Sequence, residues 1–350
     1  MTSESSDPAD FGWSSFFASQ LRPDEQGTLL PVRAIAIHRD RIHVMAPGID
    51  ASVLPIAGED EESAATVGDW LLLDHEAQRV RRILERRSVF KRRAAGTARR
   101  VQLIAANVDT LFVVSSCNQD FNPARIERYL ALASEADVMP VMVLTKADLV
   151  DDPSHFVREA SRLSPGLLVE ILDGRDPGSV ARLAPWCGKG QTVALVGSSG
   201  VGKSTLVSTL TGGSIETQAA RAHDDRGLHT TTRRAMHRLP AGGWLVDTPG
   251  MRELQLADVR AGIDDVFADI VEIARACRFG DCRHETEPGC AVRAAIGTGT
   301  IEAARYRRWR KLAAEEAHNS ESLHERHARS RAFGKMTRRI MKEKRARQEG

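Results

Sequence analysis

Residues 197 to 204 read GSSGVGKS, so Gly197 and Gly202 bracket four residues and Lys203-Ser204 follow at once. Spacing of this kind makes a phosphate cradle. The glycines let the loop curl until the N–H groups of Ser198, Ser199, Gly200, Val201 and Gly202 turn inward toward phosphate oxygens, and the positive end of the following helix adds to them. Lys203 is expected to reach the β and γ phosphates. The Ser204 hydroxyl is expected to ligate Mg²⁺, and Thr205 completes the nucleotide-binding run. The motif requires a strand before it and a helix after it, and VALV and TLVSTLTG supply both.

A cradle alone does not choose between ATP and GTP. That choice falls to TKAD, Thr145-Lys146-Ala147-Asp148, at the end of the apolar run VMVL. The Asp148 carboxylate can accept hydrogen bonds from the guanine ring N–H and its exocyclic amine, while the Lys146 stem packs on the base. Adenine has the opposite polarity at the ring nitrogen and lacks the amine, which leaves the carboxylate unpaired. Sites built this way reject the wrong partner by factors of about 10⁴ or more. The first position is Thr145 where Asn is usual, and VEILDGRD further on contains no serine-bearing base-contact loop.

The third piece is LVDTPG. Asp247 at its strand end is placed to hold Mg²⁺ through water, and the Gly250 N–H can contact the γ-phosphate. Between cradle and DTPG lies RGLHTTTRR, whose threonines suit a segment closing over Mg²⁺; spacing does not choose among Thr230, Thr231 and Thr232, and the central Thr231 stands for the ligand. Met251 follows Gly250 where many GTPases carry a water-positioning Gln. Met cannot orient water, and His229 is the available imidazole, the candidate catalytic residue.

Cys277, Cys282, His284 and Cys290 are spaced C-x4-C-x-H-x5-C. Three thiolates and one imidazole close a tetrahedral shell, so one structural Zn²⁺ is expected there. The other two cysteines, Cys117 and Cys187, stand alone and read as buried thiols, and five cysteines so placed make no disulfide framework.

These groups need elements to position them. Residues 1 to 30 lack clear periodicity and read as a mobile lead-in. VRAIAIH, RIHVMA, GDWLLLD and RVRRILERRSVF then have the texture of a small all-β, OB-like barrel. From about residue 101 apolar strands (VDTLFVVSS, MPVMVLT, PGLLVEILD, QTVALVG, GGWLVD) alternate with helical stretches such as ARIERYLALASEAD, which is the signature of a parallel sheet covered by helices. After about residue 258 the chain turns helical around the cysteine cluster. A chain of 350 residues with 42% hydrophobic content has room for two or three such units.

The net charge of +2 hides segregation. Arg326 to Arg347 holds ten Lys/Arg against Glu343 alone, and Arg79 to Arg100 holds ten against Glu85 alone. Such blocks point to a polyanion as partner. In the tail, Phe333, Met336 and Ile340 recur at helical spacing among Arg338, Arg339, Lys342 and Lys344, which suits a helix lying on RNA. The polar, acidic start is no signal peptide, and no run reaches the ~18 apolar residues of a membrane span. A cytoplasmic protein without a membrane is expected, with a monomer as the default.

Taken in order, TKAD, GSSGVGKST, GLHTTT and DTPG resemble the circularly permuted GTPases, in which the base reader precedes the cradle. With CRFGDCRHETEPGC following, the chain is similar from about residue 31 onward to the small ribosomal subunit biogenesis GTPase family, RsgA or YjeQ. The resemblance implies a multidomain protein: an N-terminal OB-like β-barrel, an α/β circularly permuted P-loop GTPase domain and a C-terminal zinc-binding helical domain. Residues 1–100, 101–257 and 258–350 are the corresponding divisions. It further implies GTP and GDP as ligands with Mg²⁺, and binding to the small (30S) ribosomal subunit and its rRNA late in maturation. Ribosome-stimulated hydrolysis, with His229 positioning water, completes what it implies.

Permutation leaves such a site intact, because in a wrapped parallel sheet the nucleotide loops all lie at the carboxyl ends of strands. What changes is that the chain leaves DTPG directly into the C-terminal domain, which would couple γ-phosphate state to that domain's position. Two other classes fit parts of the chain. A P-loop ATPase or small-molecule kinase predicts ATP preference indifferent to Asp148→Asn. A non-enzymatic RNA-binding module with a static nucleotide predicts no turnover on the ribosome. Motif order and the cysteine spacing count against the first, HTTT and DTPG against the second.

Overall fold

The computed structural model describes residues 7–38, 40–56, 64–93, 101–213, 234–247 and 259–320. Five strands follow an N-terminal segment: β1 (Leu30–Ile37), β2 (Ile42–Ala46), β3 (Ile49–Val53), β4 (Trp70–Asp74) and β5 (Arg79–Ile83). β1 pairs antiparallel with both β2 and β4, β3 extends β2, and β5 extends β4. A parallel bridge between Leu54 and Arg79 brings the end of β3 to β5, so the sheet curls round Val32, Val44, Val53, Leu71, Leu73 and Val80. β6 (Val89–Arg93) and β7 (Val101–Ala106) form a separate antiparallel ribbon in the register Val89 to Ala106.

The N-terminal residues differ from the expected mobile lead-in. The turn Pro8–Phe11 and the short helix α1 (Ser15–Ala18) are held down by aromatic rings. Phe11 and Phe17 are buried, the Trp13 and Trp70 rings meet edge to face at 4.8 Å, and Trp244 Nε1 donates to the Asp10 carbonyl at 3.0 Å. Irregularly spaced aromatic anchors carry no period, so they escape pattern reading while burying large areas.

The second unit alternates β8 (Thr110–Ser116), α2 (Pro123–Glu135), β9 (Met139–Thr145), α3 (Ser154–Ser161), β10 (Leu168–Ile171), α4 (Pro177–Val180), β11 (Thr192–Gly197), α5 (Lys203–Leu210), β12 (Arg234–Arg238) and β13 (Trp244–Asp247). The strand order is β10-β9-β8-β11-β13-β12, parallel throughout except for antiparallel β12. Both faces of the parallel strands are covered, which is why β8 reads TLFVVSS with every residue buried. β12 also touches β1 at Ala36–Ala235 and Ile37–Arg234, joining the two units in one sheet. α2 starts at Pro123 behind Asn122, whose side chain accepts from the Arg125 N–H at 3.1 Å, and turns Ile126, Tyr129, Leu130 and Ala133 inward.

Four helices close the described chain: α6 (Arg260–Val266), α7 (Ala268–Ala274), α8 (Ala291–Gly297) and α9 (Ala303–Ser320). α6 lies so close on α2 that a Cβ at Gly262 would sit 2.1 Å from the Ala131 carbonyl oxygen. α9 reaches the same helix by charge. Fully buried Glu127 accepts from Arg305 at 3.2 Å and from Arg308 at 2.8 Å, and Arg305 also holds Asp269 at 2.8 Å. Among the described residues no helix is long and apolar enough to cross a membrane.

Candidate functional site

Three strand ends meet at the carboxyl edge of the parallel sheet: Thr145 ends β9, Gly197 ends β11 and Asp247 ends β13. Gly197 has a φ of 149°, and a Cβ there would lie 2.3 Å from the Val114 carbonyl oxygen, so any side chain would push the cradle off β8. Beyond it the loop turns through Gly200 and Gly202, with φ of 82° and 92°, into α5. Lys203 is only 8% exposed, and its ammonium donates to the carbonyls of Gly197, at 2.7 Å, and Ser198. The lysine thus folds back over its own loop, the position from which an ammonium meets phosphates held by the loop. Ser199, Gly200, Ser204 and Thr205 are exposed along the mouth, whereas Val201 is buried beneath it.

The loop expected to read the base is fastened to this cradle. Thr145, 2% exposed, donates its hydroxyl to the Val201 carbonyl at 2.6 Å, with a longer contact of 3.2 Å to the Ser115 carbonyl. The residue in the place of the usual Asn therefore ties the end of β9 to the phosphate loop. Lys146 turns through a left-handed φ of 59°, and Ala147 and Asp148 follow in a single 3₁₀ turn. Asp247 is exposed at the edge beside the cradle strand, where Val246 pairs with Ala194 of β11. Ser204 and Asp247, the expected Mg²⁺ contacts, are thus both exposed at this edge. His229, Thr230, Thr231, Thr232, Gly250 and Met251 lie outside the described residues, as does the tail with Phe333, Met336 and Ile340.

Sequence reading missed two arginines at this edge. Arg125, at the start of α2, hydrogen-bonds the Ser198 hydroxyl, and Arg175, in the loop after β10, donates to Asp148 Oδ2 at 2.6 Å. Neither belongs to a motif. Only the pairing of β8 with β11 brings Arg125 to the glycine loop, and only that of β9 with β10 brings Arg175 to Asp148.

At the far end of the chain, donor atoms of Cys277, Cys282, His284 and Cys290 all lie within 4.8 Å of one another. The Cys277 and Cys290 sulfurs stand 3.5 and 3.4 Å from His284 Nδ1 and 3.9 Å from each other. Donors about 3.5 to 3.8 Å apart are what a tetrahedral zinc with bonds of roughly 2.0 to 2.3 Å imposes, so the set fits that ion. Local turns create it. His284 has a φ of 59°, and the Cys290 sulfur caps α8 by accepting from the Arg293 N–H at 3.5 Å. The Glu287 carboxylate gathers its own backbone N–H first and then those of Arg283, Glu285 and Thr286, which together push its pKa down to about 2. From α9, the Tyr306 hydroxyl donates to the His284 carbonyl at 3.1 Å.

Among the described residues of the basic run, four arginines are paired with acids of this chain. Arg81 pairs with Asp74 at 2.6 Å, Arg82 with Glu25 at 2.6 Å, Arg86 with buried Asp69 at 2.8 Å, and Arg87 with Asp109. Their acidic partners come from other parts of the chain, so a local count of charge overstates what this stretch offers a polyanion. Cys117 and Cys187 are buried as expected, and burial pushes their thiols up to about 11 and about 12.

The RsgA GTPase family model matches residues 83–257. The small ribosomal subunit biogenesis GTPase RsgA 2 of Vibrio parahaemolyticus is 50% identical over 339 residues, covering 97% of this chain and 94% of its own length. The small ribosomal subunit biogenesis GTPase RsgA of Mesorhizobium japonicum is 50% identical over 326 residues, 91% and 93% of the two chains. Among solved structures, YjeQ from Thermotoga maritima aligns with a TM-score of 0.59 at 23% identity over 81% of this chain and 97% of that one. YloQ, described as a circularly permuted GTPase, aligns at 0.58 and 22% over 87% and 100%. These structures share the fold, and the sequence relatives span nearly the whole length. The chain belongs to the RsgA GTPase family.

Proposed function

We propose that the protein binds GTP with Mg²⁺ at the carboxyl edge of the parallel sheet and acts on the small (30S) ribosomal subunit and its rRNA late in maturation. Hydrolysis is faster on that subunit. Membership of the family makes the chain a GTPase, and relatives named for small-subunit biogenesis at 50% identity support the ribosomal partner. The observation that carries the site assignment is the Thr145 hydroxyl on the Val201 carbonyl at 2.6 Å, which joins base reader and cradle although the chain presents them in permuted order.

In this proposal the cradle from Gly197 to Thr205 holds the phosphates and Lys203 meets the β and γ oxygens, while Asp148 reads guanine with Lys146 and Ala147 beside it. Ser204 and Thr231 would ligate Mg²⁺ directly and Asp247 through water, and the Gly250 N–H would contact the γ-phosphate. When bound, Mg²⁺ neutralises charge on the β and γ phosphate oxygens. His229 is proposed to orient the attacking water. The curled five-stranded unit supports an OB-like barrel, and the basic tail an rRNA contact. Donor spacing supports one structural Zn²⁺ at Cys277, Cys282, His284 and Cys290. The divisions at residues 1–100, 101–257 and 258–350, the cytoplasm as location and a monomeric state belong to the same proposal.

The test is phosphate release from GTP and from ATP by the purified full chain, with and without small ribosomal subunits at fixed salt. Strong stimulation of GTP hydrolysis alone is expected, and His229→Ala should lower it. Equal ATP turnover with no response to subunits would overturn the proposal.

A further inference from the structure

The loop after β10 brings no serine to the base-reading end of the site, yet it delivers another group to the same carboxylate. Arg175 Nη2 donates to Asp148 Oδ2 at 2.6 Å. The arginine is itself held. Its backbone N–H bonds Asp173 Oδ1 at 2.9 Å, its Nε reaches the same oxygen at 3.2 Å, and Nη2 lies 3.4 Å from Asp173 Oδ2. Asp173, Arg175 and Asp148 form a carboxylate–guanidinium–carboxylate line from one loop to the next. Arg175 holds the Asp173 carboxyl below the usual carboxylate range.

The loop carrying this line is anchored at both ends. The Asp173 N–H donates to Ser179 Oγ at 3.0 Å, and Asp176 caps α4 by accepting from the N–H groups of Gly178 and Ser179. Thr209 of α5, the helix that grows from the cradle, donates its hydroxyl to the Gly174 carbonyl at 2.7 Å. Phosphate helix, Arg175 loop and base reader are therefore one mechanical unit.

We propose that Arg175 is a positioning residue for base recognition: it holds the Asp148 carboxylate from one side and leaves the remaining lone pairs for the ring N–H and exocyclic amine of guanine. A carboxylate offers about four lone-pair directions, of which guanine takes two, so both partners bind the same group together. Discrimination between guanine and adenine then depends on a residue that touches no atom of the nucleotide. The inference rests on Asp148 as the base reader. Its size is modest, because the Arg175 and Asp148 side chains are 66% and 28% exposed and water screens the pair. Exposed pairs of this kind correspond to about a two- to fivefold effect on affinity.

The experiment titrates fluorescent GDP and ADP analogues against the full chain in four forms: wild type, Arg175→Ala, Arg175→Lys and Asp148→Ala. Thermal midpoints of all four confirm equal folding. Arg175→Ala is expected to weaken GDP about two- to fivefold and leave ADP unchanged, so the preference narrows by the same factor. Arg175→Lys should recover part of the loss, since it keeps the charge without the planar fork. The gap between wild type and Arg175→Ala should close as salt rises. If Asp148→Ala leaves the GDP preference intact, the base-reading assignment fails and this inference with it. If Asp148→Ala abolishes the preference while Arg175→Ala leaves GDP binding unchanged or tightens it, the assignment stands and the positioning role is overturned, the tightened case marking Arg175 as a competitor of guanine.

Discussion

The cysteine–histidine cluster and the nucleotide edge are built on opposite principles. The four donors of the cluster fall between residues 277 and 290 and meet because the chain turns on itself at His284. The nucleotide edge collects Thr145, Gly197 and Asp247 from the ends of three separate strands and joins them by hydrogen bonds such as Thr145 to Val201. A local site depends on its own turns and, in the proposed zinc site, on the ion those donors would hold. An assembled site depends on the register of the whole sheet, and for that reason it survives permutation of the chain: the strands must be neighbours, but their order of synthesis is free.

If this contrast is right, the two sites should fail independently, and metal removal is the largest perturbation that can show it. Structural zinc contributes about 10 to 16 kcal/mol of apparent binding energy in small peptides. Stripping metal from the protein with a chelator should therefore release backbone protection around residues 277 to 290 while β8, β9 and β11 keep theirs, as read by hydrogen exchange. Thiol titration at pH 8 should then count three reactive cysteines, with Cys117 and Cys187 silent until global unfolding, because burial keeps both thiols protonated. Simultaneous loss of protection in the sheet would break the contrast.

Glu127 is one of the groups that join α2 to the C-terminal helices, beside the Arg128–Glu315 pair at 2.6 Å and the close seat of Gly262 on Ala131, and it sets the next largest effect. Truncation to Ala leaves the Arg305 and Arg308 guanidinium groups without their buried carboxylate, at a cost of about 3 to 5 kcal/mol. Denaturant unfolding should show that loss. The C-terminal helices should also lose protection before the parallel strands do, whereas a single transition at unchanged midpoint would mean that other contacts, such as Arg128–Glu315, suffice to dock α9 on α2.

The smallest change tests the tie inside the nucleotide edge. Thr145→Val keeps the shape and removes the hydroxyl that holds the Val201 carbonyl, an interaction of about 0.5 to 1.5 kcal/mol. Guanine nucleotide affinity should fall by roughly two- to tenfold, with Thr145→Ser close to wild type. Equal affinity in all three would mean that sheet register alone aligns base reader and cradle.

Legibility in the sequence followed the same division. GSSGVGKS and the cysteine spacing could be read directly, since each is a short string whose geometry is set by its own residues. The N-terminal segment and the pairing of Arg81, Arg82, Arg86 and Arg87 could not. Phe11, Phe17 and Trp13 have no period to reveal them, and the acids that neutralise the arginines, Glu25, Asp69, Asp74 and Asp109, are set by packing and strand pairing. Arg175 is a harder case still, because nothing in LDGRD distinguishes an arginine that steers Asp148 from one that points into water.

By itself, then, the sequence determined the chemistry of each local string: glycines where the backbone must approach other atoms, a lysine and a serine behind them, thiolates and an imidazole at metal spacing, and Val-rich runs that can only be buried strands. Tertiary structure decided which strings share a site and which charges are spent on the fold. The physical reason is range. Backbone geometry and ligand spacing act over a few residues, whereas hydrogen bonds such as Thr145 to Val201 and buried pairs such as Glu127 with Arg305 require neighbours that only the packed sheet and its helices bring together.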